Sequence, residues 1–328
     1  MTSQNTSKLE NSDRILVLTS SSTGNNVFCT PAIAFLRKNL PHALIDVVAL
    51  SKLSAEVFID NPNIHEVFVI NKASKVDALA KNYTKIIALN KNALKKLSGI
   101  KSSFIPPPVL HASEHHADQL LKFVADLIGA HVDEADRQYV IATQKSSIAF
   151  LDKHLVGINQ TVIHIHLGCG TTLLHGWKFF YSKRADDDKL WPIDAYIQLG
   201  LALHQAIPNL SIVVTGTKNE SFLARKFKKS VPNTIDLVGK TTVSDLKALM
   251  SCVNLFIAHD CGVIHIAAAS DVPIIGLFGP TNHVLTGPYP ERPQHTVIKR
   301  AAMAEISVAE VVESAVQSLQ KFPRIANR

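Results

Sequence analysis

NLFIAHDCGVIHIAAASDVPIIGLFGPTN, residues 254–282, decides the fold. It opens with an apolar run at 254–258 and passes through Asp260-Cys261-Gly262. A helical apolar pattern follows over 263–269, and a second apolar run at 273–278 closes the stretch. Short apolar runs bounded by turn residues suit strands buried on both faces, and the helix between them supplies the crossover a parallel pair requires. Strand, helix, strand therefore predicts a parallel α/β sheet, with the loops after residues 258 and 278 at the ends where such sheets bind ligands.

The alternation extends outward in both directions. Strands are predicted at 14–19, 43–50, 66–70, 85–90, 161–167, 210–215 and 234–238, and helices at 52–59, 74–81, 116–128, 194–206, 220–229 and 243–251. Thr30 and Pro31 read as N-cap and first residue of a helix over AIAFLRKNL, preceded by a polar loop, SSSTGNN (residues 20–26). Residues 145–159 read as a linker. The expected fold class is α/β: two facing Rossmann-like domains with parallel sheets and an interdomain cleft. The expected boundaries are 1–155 and 156–304, with a helix in 305–328 packing back on the first domain.

Composition sets the class of partner. The 328 residues are 46% hydrophobic and 19% charged, as in ordinary globular proteins. No apolar run approaches a membrane span, and MTSQNTSKLENSD lacks the apolar core of a signal peptide, so a cytoplasmic location is expected. Cys29, Cys169, Cys252 and Cys261 are scattered and read as buried free thiols. The net charge of +7 is uneven: Lys72, Lys75, Lys81, Lys85, Lys91, Lys95, Lys96 and Lys101 face one acid, Asp77. Such a run suits an anionic substrate or lipid surface, or a plain solvated face. No basic recognition helix or aromatic-interleaved strand accompanies it, so nucleic acid is not expected.

Four loops carry candidate chemistry, each with a plain-turn alternative. SSSTGNN matches neither GxGxxG nor GxxxxGK[ST], but Gly24 relieves crowding beside a bound group. Asp260 ends a strand, Gly262 admits close backbone approach, and the helix start around His265 suits a diphosphate without a metal. His259 and His265 have metal-like spacing but no third ligand. Gly279-Pro280-Thr281-Asn282 is a stiff turn offering hydrogen bonds from Thr281 and Asn282. In YSKRADDDKLWP, Lys189 can meet a phosphate, whereas Asp186–Asp188 reads as a solvated turn. Glu220, after the strand end VVTG, suits ribose or sugar hydroxyls, and Asn219 is expected to cap its helix. His164 and His166 alternate along a strand and read as packed polar residues.

Taken together, HDCGVIHIAAASDVPIIGLFGPTNHVLTGPYP, the DDKLWP and TGTKNE segments and RILVLTSSSTGNNVFCTPAIAFLRKNLPHALIDVVAL resemble glycosyltransferase family 9, the bacterial lipopolysaccharide heptosyltransferases. The resemblance implies the B-type glycosyltransferase fold. It also implies inverting, metal-independent transfer of heptose from an ADP-heptose or related ADP-sugar to a phosphorylated lipopolysaccharide core or lipid-linked saccharide. No other cofactor is implied. Lys189 would engage the donor phosphate, Glu220 the adenosine and Asp260 the sugar hydroxyls. Gly262 and His265 would receive the diphosphate, with Thr281 beside them. Gly24, Asn26 and His116 would lie on the acceptor side. Lys91, Lys95 and Lys96 would face phosphates at the cytoplasmic surface of the inner membrane.

The resemblance also implies an aspartate after the first glycine as general base, where this chain has Asn25. An amide cannot accept the proton as a carboxylate does. Two further readings follow: a transferase for another nucleotide sugar, and a catalytically weak nucleotide-sugar-binding or assembly protein.

Overall fold

The structure, a computed structural model, describes residues 8–94, 104–155, 161–169 and 188–324. The chain divides into two compact units, Met1–Ala142 and Thr143–Arg328.

The first unit runs β1 (Arg14–Leu18), α1 (Thr23–Asn39), β2 (Leu44–Ala49), α2 (Lys52–Ala55), β3 (Glu66–Val69), α3 (Ala73–Ala80), β4 (Lys85–Ala88), α4 (Lys91–Leu94), β5 (Phe104–Ile105) and α5 (His116–Ile128). Its strands are all parallel in the order β3-β2-β1-β4-β5. Leu16, Leu18, Val48, Ile86 and Ala88 form one buried face of the sheet.

The second unit runs α6 (Lys145–Leu155), β6 (Val162–His166), α7 (Ile193–Ala206), β7 (Ser211–Thr215), α8 (Ser221–Ser230), β8 (Thr234–Asp236), α9 (Val243–Cys252), β9 (Leu255–His259), α10 (Gly262–Ala268), β10 (Ile274–Phe278), α11 (His283–Thr286), β11 (His295–Lys299) and α12 (Val308–Lys321). This sheet is also wholly parallel, in the order β11-β10-β9-β6-β7-β8. Strand order reverses at β1/β4 in one sheet and at β6/β9 in the other. Those switch points open a crevice at the C-terminal strand ends, where ligands of doubly wound sheets sit.

Four expectations are corrected. The SSSTGNN segment is not a loop ahead of a helix at Thr30; α1 already begins at Thr23 and runs through Pro31. Pro31 has no N–H for the Val27 carbonyl four residues back. The Thr30 hydroxyl donates to that oxygen instead, at 2.8 Å, and itself accepts from Val140 N at 3.1 Å. The helix therefore continues. Second, the expected linker contains α6, whose Ser147 hydroxyl bonds Ser244 of α9, so the division falls after Ala142.

Third, the final helix is built into the second unit. Val311 and Ala315 of α12 are fully buried in one cluster with Leu199 and Leu203 of α7. Arg324 beyond it donates to Met250 O and Val253 O. The apolar stripe Val308, Val311, Val312, Ala315, Leu319 has helical spacing and is consumed there. Fourth, Asn219 does not cap the helix after β7. It lies inside a 3-10 turn, Lys218–Glu220, that leads into α8, whose N-cap position is Glu220.

Candidate active site

In the second unit the predicted donor residues converge on the C-terminal strand ends. Asp260 directly follows β9 and is buried; its Oδ2 takes an ion pair from Lys189 Nζ at 3.1 Å. Lys189 is less enclosed, with 41% of its side chain exposed against 9% for Asp260. The lysine thus reaches solvent while anchored to a strand end.

Glu220 lies beyond β7 and is almost completely buried. Its Oε2 accepts from Thr217 N at 2.5 Å and Thr217 Oγ1 at 3.1 Å. The carboxylate also lies over two strand-end glycines. A Cβ on Gly168, after β6, would come within 1.8 Å of Glu220 Oε1, and one on Gly216, after β7, within 2.8 Å of Oε2. Only residues without a side chain leave room for this carboxylate, a role that appears in the sequence solely as glycine after a strand.

Gly262 begins α10. That helix has seven residues, so what it presents at its start is first-turn N–H groups more than an extended dipole. His265 is buried. Its ring lies within the packing around α10. Thr281, after β10, keeps a buried hydroxyl without a hydrogen-bond partner among the described residues. Asn282 is engaged as N-cap of α11, its Oδ1 accepting from Val284 N.

Beneath these groups lies a polar floor that the sequence only partly announces. His164 Nε2 and His166 Nδ1 both meet Thr215 Oγ1, at 2.6 and 2.9 Å. One hydroxyl donates only once, so at least one of the two rings presents N–H to it. Burial, then the neighbouring His166, holds His164 well below the usual histidine range. Burial, then His259, brings His166 to about 3. His259 Nδ1 lies 2.8 Å from Tyr196 Oη, whose phenol burial and Cys261 push upward. His164, His166 and Tyr196 are therefore uncharged at pH 7. His164 and His166 are packed polar residues, as their alternation predicts. Among the described residues no group of three or more His, Cys, Asp or Glu could hold a metal ion.

In the first unit Gly24, Asn25 and Asn26 occupy the first turn of α1. Asn26 is fully buried: its Oδ1 accepts from Ser20 N at 2.9 Å and its Nδ2 donates to Ser54 O at 3.0 Å. Its amide clips the chain just after β1 to α2. Asn25 remains partly exposed, with only a 3.5 Å contact from Nδ2 to Ser20 Oγ. No acid stands in this turn. His116 opens α5, edge-on to Phe28 of α1 at 5.8 Å. Burial, then Lys91, lowers its pKa from 6.5, so Lys91, directly after β4, belongs to the same rim. Lys95, Lys96, Lys101, Asp186 and Asp187 lie outside the described residues.

Two parallel sheets of this order, one in each unit, are those of the B-type glycosyltransferase fold. The profile of Glycosyltransferase family 9 (heptosyltransferase) matches residues 178–315. The chain is 25% identical over 292 residues to lipopolysaccharide heptosyltransferase 3 of Escherichia coli, covering 81% of this chain and 83% of that protein. It is 32% identical over 109 residues to lipopolysaccharide core heptosyltransferase OpsX of Haemophilus influenzae, a match spanning 33% of this chain and 31% of the relative. The fold resembles a glycosyl transferase family 9 structure from Veillonella parvula at a TM-score of 0.78 and 20% identity, covering 96% and 99% of the two chains. It likewise resembles the ADP-heptose lps heptosyltransferase II of E. coli at 0.74 and 16% identity, covering 94% and 99%.

Proposed function

We propose that the protein is an inverting, metal-independent transferase that moves heptose from an ADP-heptose-like donor to a phosphorylated lipopolysaccharide inner-core saccharide. The carrying observation is the Lys189–Asp260 pair at the end of β9, with Glu220 seated over Gly168 and Gly216 at the neighbouring strand ends. Lys189 supplies a cation for the diphosphate, Asp260 accepts from sugar hydroxyls, and Glu220 accepts from the nucleoside. The first-turn amides of α10 and the Thr281 hydroxyl add donors. The relatives named for lipopolysaccharide heptosyl transfer support this donor and acceptor class. On the acceptor side, Lys91 faces phosphate groups at the cytoplasmic surface of the inner membrane. No described helix is long and apolar enough to cross a membrane, so contact there is peripheral in this reading.

Calorimetry with ADP, ADP-heptose, UDP and GDP tests the donor. ADP-based ligands are expected to bind most tightly, and Lys189→Ala to weaken them by about 1.5–3 kcal/mol through loss of a charge-assisted contact. Equal affinity for all nucleotides, or an unchanged Lys189→Ala, sinks the assignment. A second reading, a nucleotide-sugar-binding or assembly subunit, is favoured by one observation: the first turn of α1 holds Asn25 and no acid. Donor binding without transfer to any core fragment would select it.

A further inference from the structure

We propose that His116 is the base that takes the proton from the attacking acceptor hydroxyl, the task for which the first turn of α1 offers no carboxylate. The inference rests on the transfer reaction proposed above. Helices α1 and α5 lie side by side and point the same way. Near the start of both, Phe28 meets the rings of His115 and His116 at 5.2 and 5.8 Å. At the other end, Leu9 N, ahead of β1, donates to Leu127 O near the end of α5. The first residue of α5 therefore stands at the rim where β1 and β4 finish. Phe28 is three residues beyond Asn25, which on a helix is the same face. Asn25 thus shares a helix face with the ring that meets His116, and Lys91 is close enough for its charge to act on the imidazole.

The other titratable groups at this helix start are occupied. His115 Nδ1 accepts from Ala117 N at 3.1 Å and closes the helix end. Glu114 and Asp118 both pair with Lys122, and Asp118 also accepts from Arg137 Nε at 2.8 Å. Burial raises the Asp118 carboxyl, but hydrogen bonds with Glu114, Lys122 and Arg137 bring it down to about 2, too weakly basic for the task. The half-buried His116 ring is disfavoured as a cation first by burial and then by Lys91. It is neutral at pH 7 and keeps a lone pair for a proton.

In the step, the acceptor O–H gives its proton to a His116 nitrogen while its oxygen bonds to the anomeric carbon of the donor. The bond from that carbon to the diphosphate oxygen breaks, and its electron pair leaves with ADP. The imidazolium then releases its proton to solvent. Asn25 orients the hydroxyl through its side-chain oxygen.

The test is single-turnover transfer from ADP-heptose to a phosphorylated inner-core fragment, followed from acid to alkaline pH. The proteins compared are wild type, His116→Gln, Lys91→Ala and the double variant His116→Gln with Asn25→Asp. Circular dichroism and ADP binding verify that each is folded. His116→Gln is expected to lower the rate about 10²–10⁴-fold at unchanged ADP affinity and to erase the acid limb of the profile. Asn25→Asp should restore much of the rate, and Lys91→Ala should move the acid limb to higher pH. A His116→Gln enzyme that keeps its rate, or slows while the acid limb persists, overturns the base role and leaves the transfer reading standing. A wild type that binds ADP-heptose yet transfers at no pH overturns both.

Discussion

The two units repeat one parallel frame but finish their ligand rims differently. In the second, the polar groups are held before any ligand arrives: Lys189 by Asp260, Glu220 by Thr217, and His164 and His166 by one Thr215 hydroxyl. In the first, Asn25 has a single long contact and Lys91 is exposed. Rigid, mutually bonded groups fix a constant ligand such as a nucleotide, because their geometry needs no reorganisation on binding. Solvated cations on a rim accept a variable phosphorylated saccharide. The profile match at residues 178–315 lies in the fixed half. That is where many residues constrain one another.

The largest expected difference between the halves is their response to acid. His166 titrates near 3 and His295 near 4 in the folded second unit, against an ordinary 6.5. Between those values the unfolded chain binds more protons than the folded one. The stability from keeping the rings neutral is therefore present above 6.5 and lost as pH falls, by about 2 kcal/mol per buried histidine at pH 5. In the first unit Asp118, at about 2 against 3.8, holds its contribution until pH drops below 3.8. His116 adds a smaller loss there, being only half-buried. Trp191 is buried in the core of the second unit, so its fluorescence reports that unit's unfolding. Urea titrations at pH 7 and 5 should move that signal more than hydrogen exchange in α5. Equal shifts would erase the contrast.

The next effect concerns how tightly the donor rim is packed. Alanine at Gly168 would drive a Cβ into Glu220, whose Cγ stands 2.8 Å from that position, so the whole side chain must leave. Departure also strips the Thr217 amide of its acceptor. Gly168→Ala is expected to cost about 1–3 kcal/mol of stability and to weaken ADP binding. Unchanged melting and unchanged ADP affinity would mean the rim is softer than its contacts indicate.

These contrasts also mark what the sequence could and could not convey. Most strands, and the residues gathered at their C-terminal ends, were legible because apolar runs end at Asp260 and ahead of Glu220, a local pattern. The extent of α1 was not. Thr30-Pro31 carries a helix-start signature, and what overrides it is a hydroxyl bonded to Val27 O and to Val140 N, 110 residues away. Strands β5 and β11 escaped notice because one has two residues and the other, HTVIK, is mostly half-buried and polar. The glycine at 168 reads as a turn until a side chain 52 positions later lies against it.

The smallest expected effect separates lysines that the sequence runs together. Lys72 and Lys75 lie at the start of α3, after β3, and Lys91 follows β4, so all three stand at the C-terminal rim. Lys81 follows α3 and Lys85 begins β4, at the opposite end of the sheet. The four residues of β4 alone separate the groups by about 13 Å at ~3.3 Å each, beyond the screening length of ~8 Å at physiological salt. The basic run is therefore two patches. Neutralising Lys72, Lys75 and Lys91 should weaken binding of a phosphorylated core fragment by about 0.2–1 kcal/mol per lysine, with a shallower salt dependence. Neutralising Lys81 and Lys85 should change neither quantity, and ADP affinity should stay constant in both variants. Equal losses from the two sets would mean that long-range charge, and not a local rim, draws the acceptor in. No loss from either would make the lysines a solvated surface, leaving Asn25 and His116 to meet an acceptor recognised through other groups.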